Sequence, residues 1–272
     1  IYTNTLLKLD GTVWWEDGDD PPPPEGIDWR GVPWRPGTTD DDGKPIHGAH
    51  PNSRFTAPIS QCPTASFRLD QPHGVQISAI LFGGRRTHLT PLVFETFDWP
   101  HGVYIGATMR SERTAAQSGE VGEVRWDPMA MIPFCGYNMA DYFDQWLLIG
   151  RRLEKQPKIF HVNWFRRDRQ GNYLWPGFGE NLRIIEWILA RSRNEVDAVE
   201  TPIGFVPKPA DIDMTGLKLT KETMRRLLEV DSKAWLEELK VQEEVLKKFG
   251  RRLPEELWHQ FAKQKERLKS TR

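Results

Sequence analysis

A chain of 272 residues can enclose a sizeable core, as one large domain or two small ones. With 37 basic and 38 acidic residues, and a formal net charge of −1, it has no global excess that would draw it to nucleic acid or an anionic membrane. Its 2 cysteines are too few for a disulfide framework and lack metal-ligand spacing, which points to a reducing, cytoplasmic setting.

No apolar run approaches the ~18 residues of a membrane span, and no basic-then-apolar opening suggests a secretion signal. The chain starts at Ile1, not methionine, and Ile1-Tyr2-Thr3-Asn4 reads as the middle of a strand-rich segment. It is therefore expected to be one part of a longer protein.

Asp10-Gly11 before Thr12-Val13-Trp14-Trp15 predicts a hairpin. Residues 19–50 are rich in Pro, Asp and Gly, with Pro21 to Pro24 in a row, and cannot be helical. Trp29 and Trp34 argue that this excursion is pinned to a core. Ala79-Ile80-Leu81-Phe82 and Pro91-Leu92-Val93-Phe94 are strand candidates on either side of Gly83-Gly84-Arg85-Arg86. Val103 to Ala107 is a further apolar run that could equally start a helix. Residues 111–124 are small and polar, a loop. Asn138 to Leu148 has Met139, Tyr142, Phe143, Trp146 and Leu147 at helical spacing. Lys158 to Trp164 reads as a strand and Glu180 to Arg191 as a helix. From Thr220 the chain reads as helical, with Trp235, Leu239, Leu246 and Phe249 near one stripe and Gly250 at a helix end. Pro254 then opens a last helix with Leu257, Trp258, Phe261 and Leu268 facing inward. The expected class is mixed α/β, in three stretches: a strand- and Pro-rich segment 1–50, a central region 51–215, and a helical tail 216–272.

Four clusters could carry chemistry. His50-Pro51-Asn52-Ser53-Arg54-Phe55 sets an amide and a guanidinium on a proline-stiffened loop. An amide can bind a carbonyl or carboxylate, and arginine can fork onto phosphate or carboxylate oxygens. The same residues also fit a turn with a surface arginine. Phe82-Gly83-Gly84-Arg85-Arg86 lets backbone approach a ligand and adds positive charge. No Gly-Lys-Ser/Thr follows, and a tight hairpin with solvated arginines is the alternative. Arg110 to Glu123 places small residues between charged anchors, which suits a lid or an ordinary connection. The densest cluster is Asn163-Trp164-Phe165 with Tyr173-Leu174-Trp175-Pro176-Gly177-Phe178-Gly179-Glu180-Asn181. Trp164, Phe165, Tyr173 and Phe178 offer faces for a planar base, and Asn181 offers an amide near a helix start. A core interrupted by a Pro-Gly turn is the plainer alternative. His50, His101 and His161 are read as structural.

Taken together, AHPNSRF (49–55), FGGRR (82–86), HGVYIGATMRSE (101–112), DPMAMIPFCGYN (127–138), KIFHVNWFRRD (158–168) and LWPGFGEN (174–181) resemble the GTP-dependent phosphoenolpyruvate carboxykinases, in the family's order and spacing. The likeness runs along essentially the whole chain and looks closer to the bacterial branch. It implies the C-terminal part of a two-lobed fold with short mixed strands, a mobile Ω-lid at 112–123 and a helical tail. It implies conversion of oxaloacetate and GTP into phosphoenolpyruvate, GDP and carbon dioxide, in gluconeogenesis or anaplerosis. By the same resemblance, Asn52 and Arg54 contact oxaloacetate or phosphoenolpyruvate. Arg54 and Arg85 act on the transferred phosphoryl group of GTP and are the catalytic candidates. Trp164, Phe165, Tyr173, Phe178 and Asn181 form the guanine pocket.

Three departures stand out. Tyr173 replaces the phenylalanine of many members, so a hydroxyl must find a partner. Arg113 and Gly119 stand where vertebrate relatives carry alanine and histidine. The family's phosphate-binding loop, its manganese or magnesium ligands and a substrate-gripping arginine would lie upstream of Ile1, so the expected metal is held by a missing N-terminal half and the isolated chain is expected to be inactive. The other readings are a non-catalytic guanine-nucleotide-binding fragment and, from the tryptophans alone, a carbohydrate or peptide binder.

Overall fold

In the computed structural model, Asp10 and Gly11 close a hairpin as their chemistry requires. The Asp10 carboxylate accepts from the Thr12 amide at 2.9 Å, and Gly11 takes a φ of 80°, which a side chain would strain. The structure describes residues 1–16, 18, 20–114 and 120–271. Residues 115–119 of the expected lid therefore lie outside the described residues. The chain divides into two units, Ile1–Val75 with Arg113–Val121, and Gln76–Glu112 with Gly122–Arg272.

The first unit contains β1 (Tyr2–Thr3), β2 (Leu6–Lys8), β3 (Val13–Trp14), β4 (Gly26–Ile27), β5 (Pro33–Trp34) and β6 (Arg54–Phe55). Strands β3-β2-β4-β5 form one antiparallel sheet, and β1 pairs with β6. Leu6, Trp14 and Trp34 make the core, with the two indoles stacked at 5.9 Å. Gly26 and Gly48 close on Leu6: a Cβ at either would come within 2.6 Å of its methyl groups. Only one of the two expected tryptophan anchors is buried. Trp34 is inside, whereas Trp29 is 41% exposed and sits edge-on to His50.

The second unit is ordered β7 (Ala79–Gly83), β8 (Val93–Glu95), α1 (Trp99–Thr108), β9 (Arg110–Glu112), β10 (Val124–Trp126), α2 (Met139–Arg152), β11 (Lys158–Val162), α3 (Asn181–Ser192), β12 (Val199–Thr201), β13 (Gly204–Val206), α4 (Lys221–Leu228), α5 (Ser232–Lys247) and α6 (Glu255–Ser270). Its sheet runs β12-β13-β8-β11-β7, with β11 and β7 parallel and the other pairs antiparallel. The period of two divides the strand residues between two cores. Phe94 and Ile159 join one core with residues of α1, α2, α5 and α6, while Val93, Phe160 and Val162 join another with residues of α3 and α4. The observed class is mixed α/β, with helices covering both faces of this sheet.

The ambiguous Val103–Ala107 run resolves as helix α1. Asp98 caps it by accepting from the His101 amide at 2.8 Å, and Pro100 starts its first turn. Every residue from His101 to Thr108 is buried, so no polar face was available to reveal the helical period. His101 and His161 are buried in this unit. Burial pushes both imidazoles down to about 3, helped by the charge of Arg267 on the former and Arg86 on the latter, so both stay neutral.

Candidate functional site

The loop after β7 is not a hairpin, because β11 lies between β7 and β8. It is instead strapped to β9. The Arg85 amide donates to Ser111 Oγ at 3.0 Å, and the Glu112 amide donates to the Arg85 carbonyl at 2.8 Å. A Cβ at Gly84 would crowd the Arg110 carbonyl at 3.1 Å, which explains glycine there. Asn163, fully buried, holds the loop from the other side by donating to the carbonyls of Arg86 and Thr90 at 2.8 and 2.9 Å. Its amide is thereby consumed by the scaffold.

The two adjacent arginines part ways. Arg86 pairs with Glu238 at 2.9 Å, and Arg110 reaches the same carboxylate at 3.0 Å. Burial would push the Glu238 carboxyl up, but the hydrogen bonds and charges of Arg86 and Arg110 outweigh it and hold the group below the usual carboxylate range. Arg85 makes no ion pair among the described residues. Its guanidinium lies 4.0 Å over the Phe165 ring, and its Nη1 is 3.5 Å from the Tyr173 hydroxyl.

A hairpin turned by Asp168 delivers Tyr173. Asp168 Oδ1 accepts from the amides of Asn172 and Gln170 at 2.8 and 2.9 Å, and Arg167 bridges antiparallel to Tyr173. The Tyr173 hydroxyl finds its partner in Arg167, which donates at 2.7 Å while its guanidinium lies 4.4 Å over the ring. Phe165 and Tyr173 meet edge to face at 6.2 Å. These rings, with Arg85, Trp164, Trp175, Phe178 and Asn181, line one cleft of about 640 Å3. Phe178 is 92% exposed, an aromatic face with nothing of its own to cover it. The cleft thus offers aromatic faces, a cation with no carboxylate partner among the described residues and an amide, a set suited to a planar base joined to an anion.

All the sequence-predicted nucleotide residues of the second unit, Arg85, Trp164, Phe165, Tyr173, Phe178 and Asn181, come together there. Sequence reasoning left Trp175 and Arg167 without roles. The indole of Trp175, 1% exposed, donates to Asn181 Oδ1 at 2.8 Å. The only signal of this was an indole and an amide flanking a Pro-Gly turn.

Asn52 and Arg54 belong to the first unit. The Asn52 main-chain N–H donates to His50 Nδ1 at 2.9 Å, and Asn4 Nδ2 donates to the Asn52 main-chain carbonyl at 3.3 Å. Arg54, on β6, is exposed and makes no ion pair among the described residues; with Tyr2, Thr5, Trp15, Ser53 and Phe55 it lines a cleft of about 150 Å3. Among the described residues no three His, Cys, Asp or Glu side chains gather as a ligand set for a metal ion.

The family model described as the phosphoenolpyruvate carboxykinase C-terminal P-loop domain matches residues 1–267. No Gly-Lys-Ser or Gly-Lys-Thr occurs in the 272 residues. The chain is 50% identical over 272 residues to the phosphoenolpyruvate carboxykinase [GTP] of Chlamydia caviae, covering 99% of this chain and 44% of that protein. It is 48% identical over 268 residues to that of Thermoplasma volcanium, covering 98% and 44%. It is 46% identical over 272 residues to that of Anaeromyxobacter sp. (strain K), covering 100% and 45%. The chain thus spans less than half the length of these relatives. A match along nearly its whole length establishes that this chain belongs to the GTP-dependent phosphoenolpyruvate carboxykinase family, through its C-terminal domain.

Proposed function

We propose that the complete polypeptide is a GTP-dependent phosphoenolpyruvate carboxykinase, and that this chain supplies its guanine pocket and its substrate and phosphate arginines. The reaction joins two steps. Oxaloacetate loses carbon dioxide to leave an enolate, and the enolate oxygen attacks the γ-phosphorus of GTP, releasing GDP and phosphoenolpyruvate. Such transfers depend mainly on positioning and on charge stabilisation. Phe165, Tyr173, Phe178 and Trp164 hold the base. Arg85, without an ion pair among the described residues and lining the same cleft, meets the phosphates. Asn52 binds oxaloacetate or phosphoenolpyruvate, and Arg54 bridges the substrate and the transferred group. A divalent cation, manganese or magnesium, would be held by residues of the complete polypeptide outside this chain. Two cysteines with free thiols agree with a cytoplasmic home, and no helix among the described residues is long and apolar enough to cross a membrane.

The observation that carries this reading is Arg85 in the aromatic cleft whose amide is Asn181. The test is phosphoenolpyruvate formation by the complete polypeptide from oxaloacetate with GTP or ATP and a divalent cation. Turnover is expected with GTP and little with ATP, and Arg85→Ala should lower kcat about 100-fold, the scale of one lost charge-stabilising donor. Equal use of ATP, or an unaffected Arg85→Ala enzyme, would refute it.

A further inference from the structure

Stacking holds any purine, so aromatic walls cannot by themselves separate guanine from adenine. The polar edge of the cleft has to discriminate, and there the Asn181 side chain is already committed. An indole Nε1–H only donates, so Trp175 must face the oxygen of the Asn181 amide. Rotating the amide by half a turn would set two donors against each other, with Trp175 only 1% exposed to water. The orientation is therefore dictated by chemistry. Asn181 Nδ2 makes no hydrogen bond among the described residues and is not enclosed, and Asn181 lines the cleft.

The backbone between the two residues is built for this meeting. Gly177 takes a φ of 129°, where a side chain would be strained although nothing stands within 4 Å of its Cβ position. Its carbonyl then accepts from the Glu180 amide at 3.1 Å, turning the chain through Phe178–Glu180 into α3. That reversal returns residue 181 to the indole of residue 175.

We propose that Trp175 is a positioning residue that sets base specificity by locking Asn181 with its N–H donors toward the cleft. This rests on the reading of the cleft as a purine-nucleotide site. Guanine and hypoxanthine carry an acceptor oxygen at C6, which the fixed donor can satisfy. Adenine carries an amino group there, which would oppose it. In this proposal Trp175, although it lines the cleft, acts through its hydrogen bond to Asn181.

Calorimetric titration of the complete polypeptide with GDP, IDP and ADP tests this. The unmodified enzyme should prefer GDP and IDP to ADP. Trp175→Phe keeps an aromatic in the core but frees the amide to turn. The preference over ADP should then fall by about tenfold, one hydrogen bond's worth, and adding Asn181→Ala to that variant should change little more. Asn181→Asp keeps an oxygen for the indole but replaces the donor by an acceptor. It should shift the ratio toward ADP, and it carries the test if Trp175→Phe does not fold. No preference in the unmodified enzyme would sink the guanine reading itself. A preserved preference in Trp175→Phe, with all three nucleotides weakened alike, would mean that Trp175 only packs. An unchanged ratio in Asn181→Asp would mean that the amide does not read the base. Either result overturns the lock while leaving the guanine site standing.

Discussion

Replacing Glu238 by glutamine should loosen the loop after β7 and the fold together. The carboxylate accepts from Arg86 Nη1 and Nη2 at 2.9 and 3.3 Å and from Arg110 Nη1 at 3.0 Å. All three side chains are largely withdrawn from water, at 9% exposure for Glu238, 11% for Arg86 and 17% for Arg110. Surface pairs contribute at most about 1 kcal/mol, but removing one partner of a buried pair leaves charge uncompensated and costs about 3–5 kcal/mol. Glutamine retains one carbonyl acceptor, so the lower end, about 3 kcal/mol, is expected. With a urea slope of about 3 kcal/mol/M, the midpoint should fall by about 1 M. The pH dependence adds a second readout. A carboxyl held low in the fold stabilises it above the unfolded value near ~4.3, and that contribution is lost as pH falls through the lower folded value. The variant should lack this component of acid sensitivity. Arg86 precedes Thr87 and follows Arg85 in one strapped loop, so GDP affinity should also drop. A midpoint within 0.2 M of the unmodified protein, on the order of the noise in such extrapolations, would refute the buried-bridge reasoning.

Tyr173→Phe keeps the ring but frees Arg167, so GDP affinity should stay within about threefold, the scale of one half-exposed hydrogen bond, and the preference for GDP over ADP should not change; an altered ratio would mean that the hydroxyl reads the base. His161, held neutral with its pKa near about 3, stabilises the fold fully above the unfolded value and loses that contribution as pH falls below it. His161→Gln should therefore flatten the dependence of unfolding free energy on pH below ~6.5 by about 1.4 kcal/mol per pH unit, as measured by urea titration at several pH values. Gly150→Ala gains up to about 1 kcal/mol of helix propensity. Its Cβ, however, would overlap the Trp99 indole, which is tethered by donating to the Trp146 carbonyl at 2.8 Å. A net loss of about 2 kcal/mol and a lower Tm in thermal melts are expected; a raised Tm would show that the indole yields freely.

Local rules were legible wherever the deciding physics lies within a few residues. Asp10-Gly11 announced its hairpin, Asn138 capped α2 by accepting from the Ala140 amide at 2.9 Å, and the spacing of Leu257, Phe261 and Leu268 placed them inside α6. The aromatic cluster of 163–181 stood out as a candidate because Pro-Gly and Gly-Glu-Asn interrupt it, and the fold brings Trp164, Phe165, Tyr173, Phe178 and Asn181 to one cleft. The run Val103–Ala107 was not legible as helix or strand, since burial on every side erases the polar half of the pattern.

What tertiary structure alone decided is which polar groups remain free. Arg85 and Arg86 are neighbours of the same type, yet among the described residues Glu238, 152 residues beyond Arg86, neutralises Arg86 while Arg85 makes no ion pair. Asn163 and Asn181 both belong to the aromatic cluster, and their fates differ. The first is spent on the carbonyls of Arg86 and Thr90, while the second gives its oxygen to Trp175 and keeps its donors. Residue types and short spacings determine which groups could bind. Their availability depends on partners brought close by folding, because a buried donor or acceptor must be satisfied by whatever the fold sets beside it.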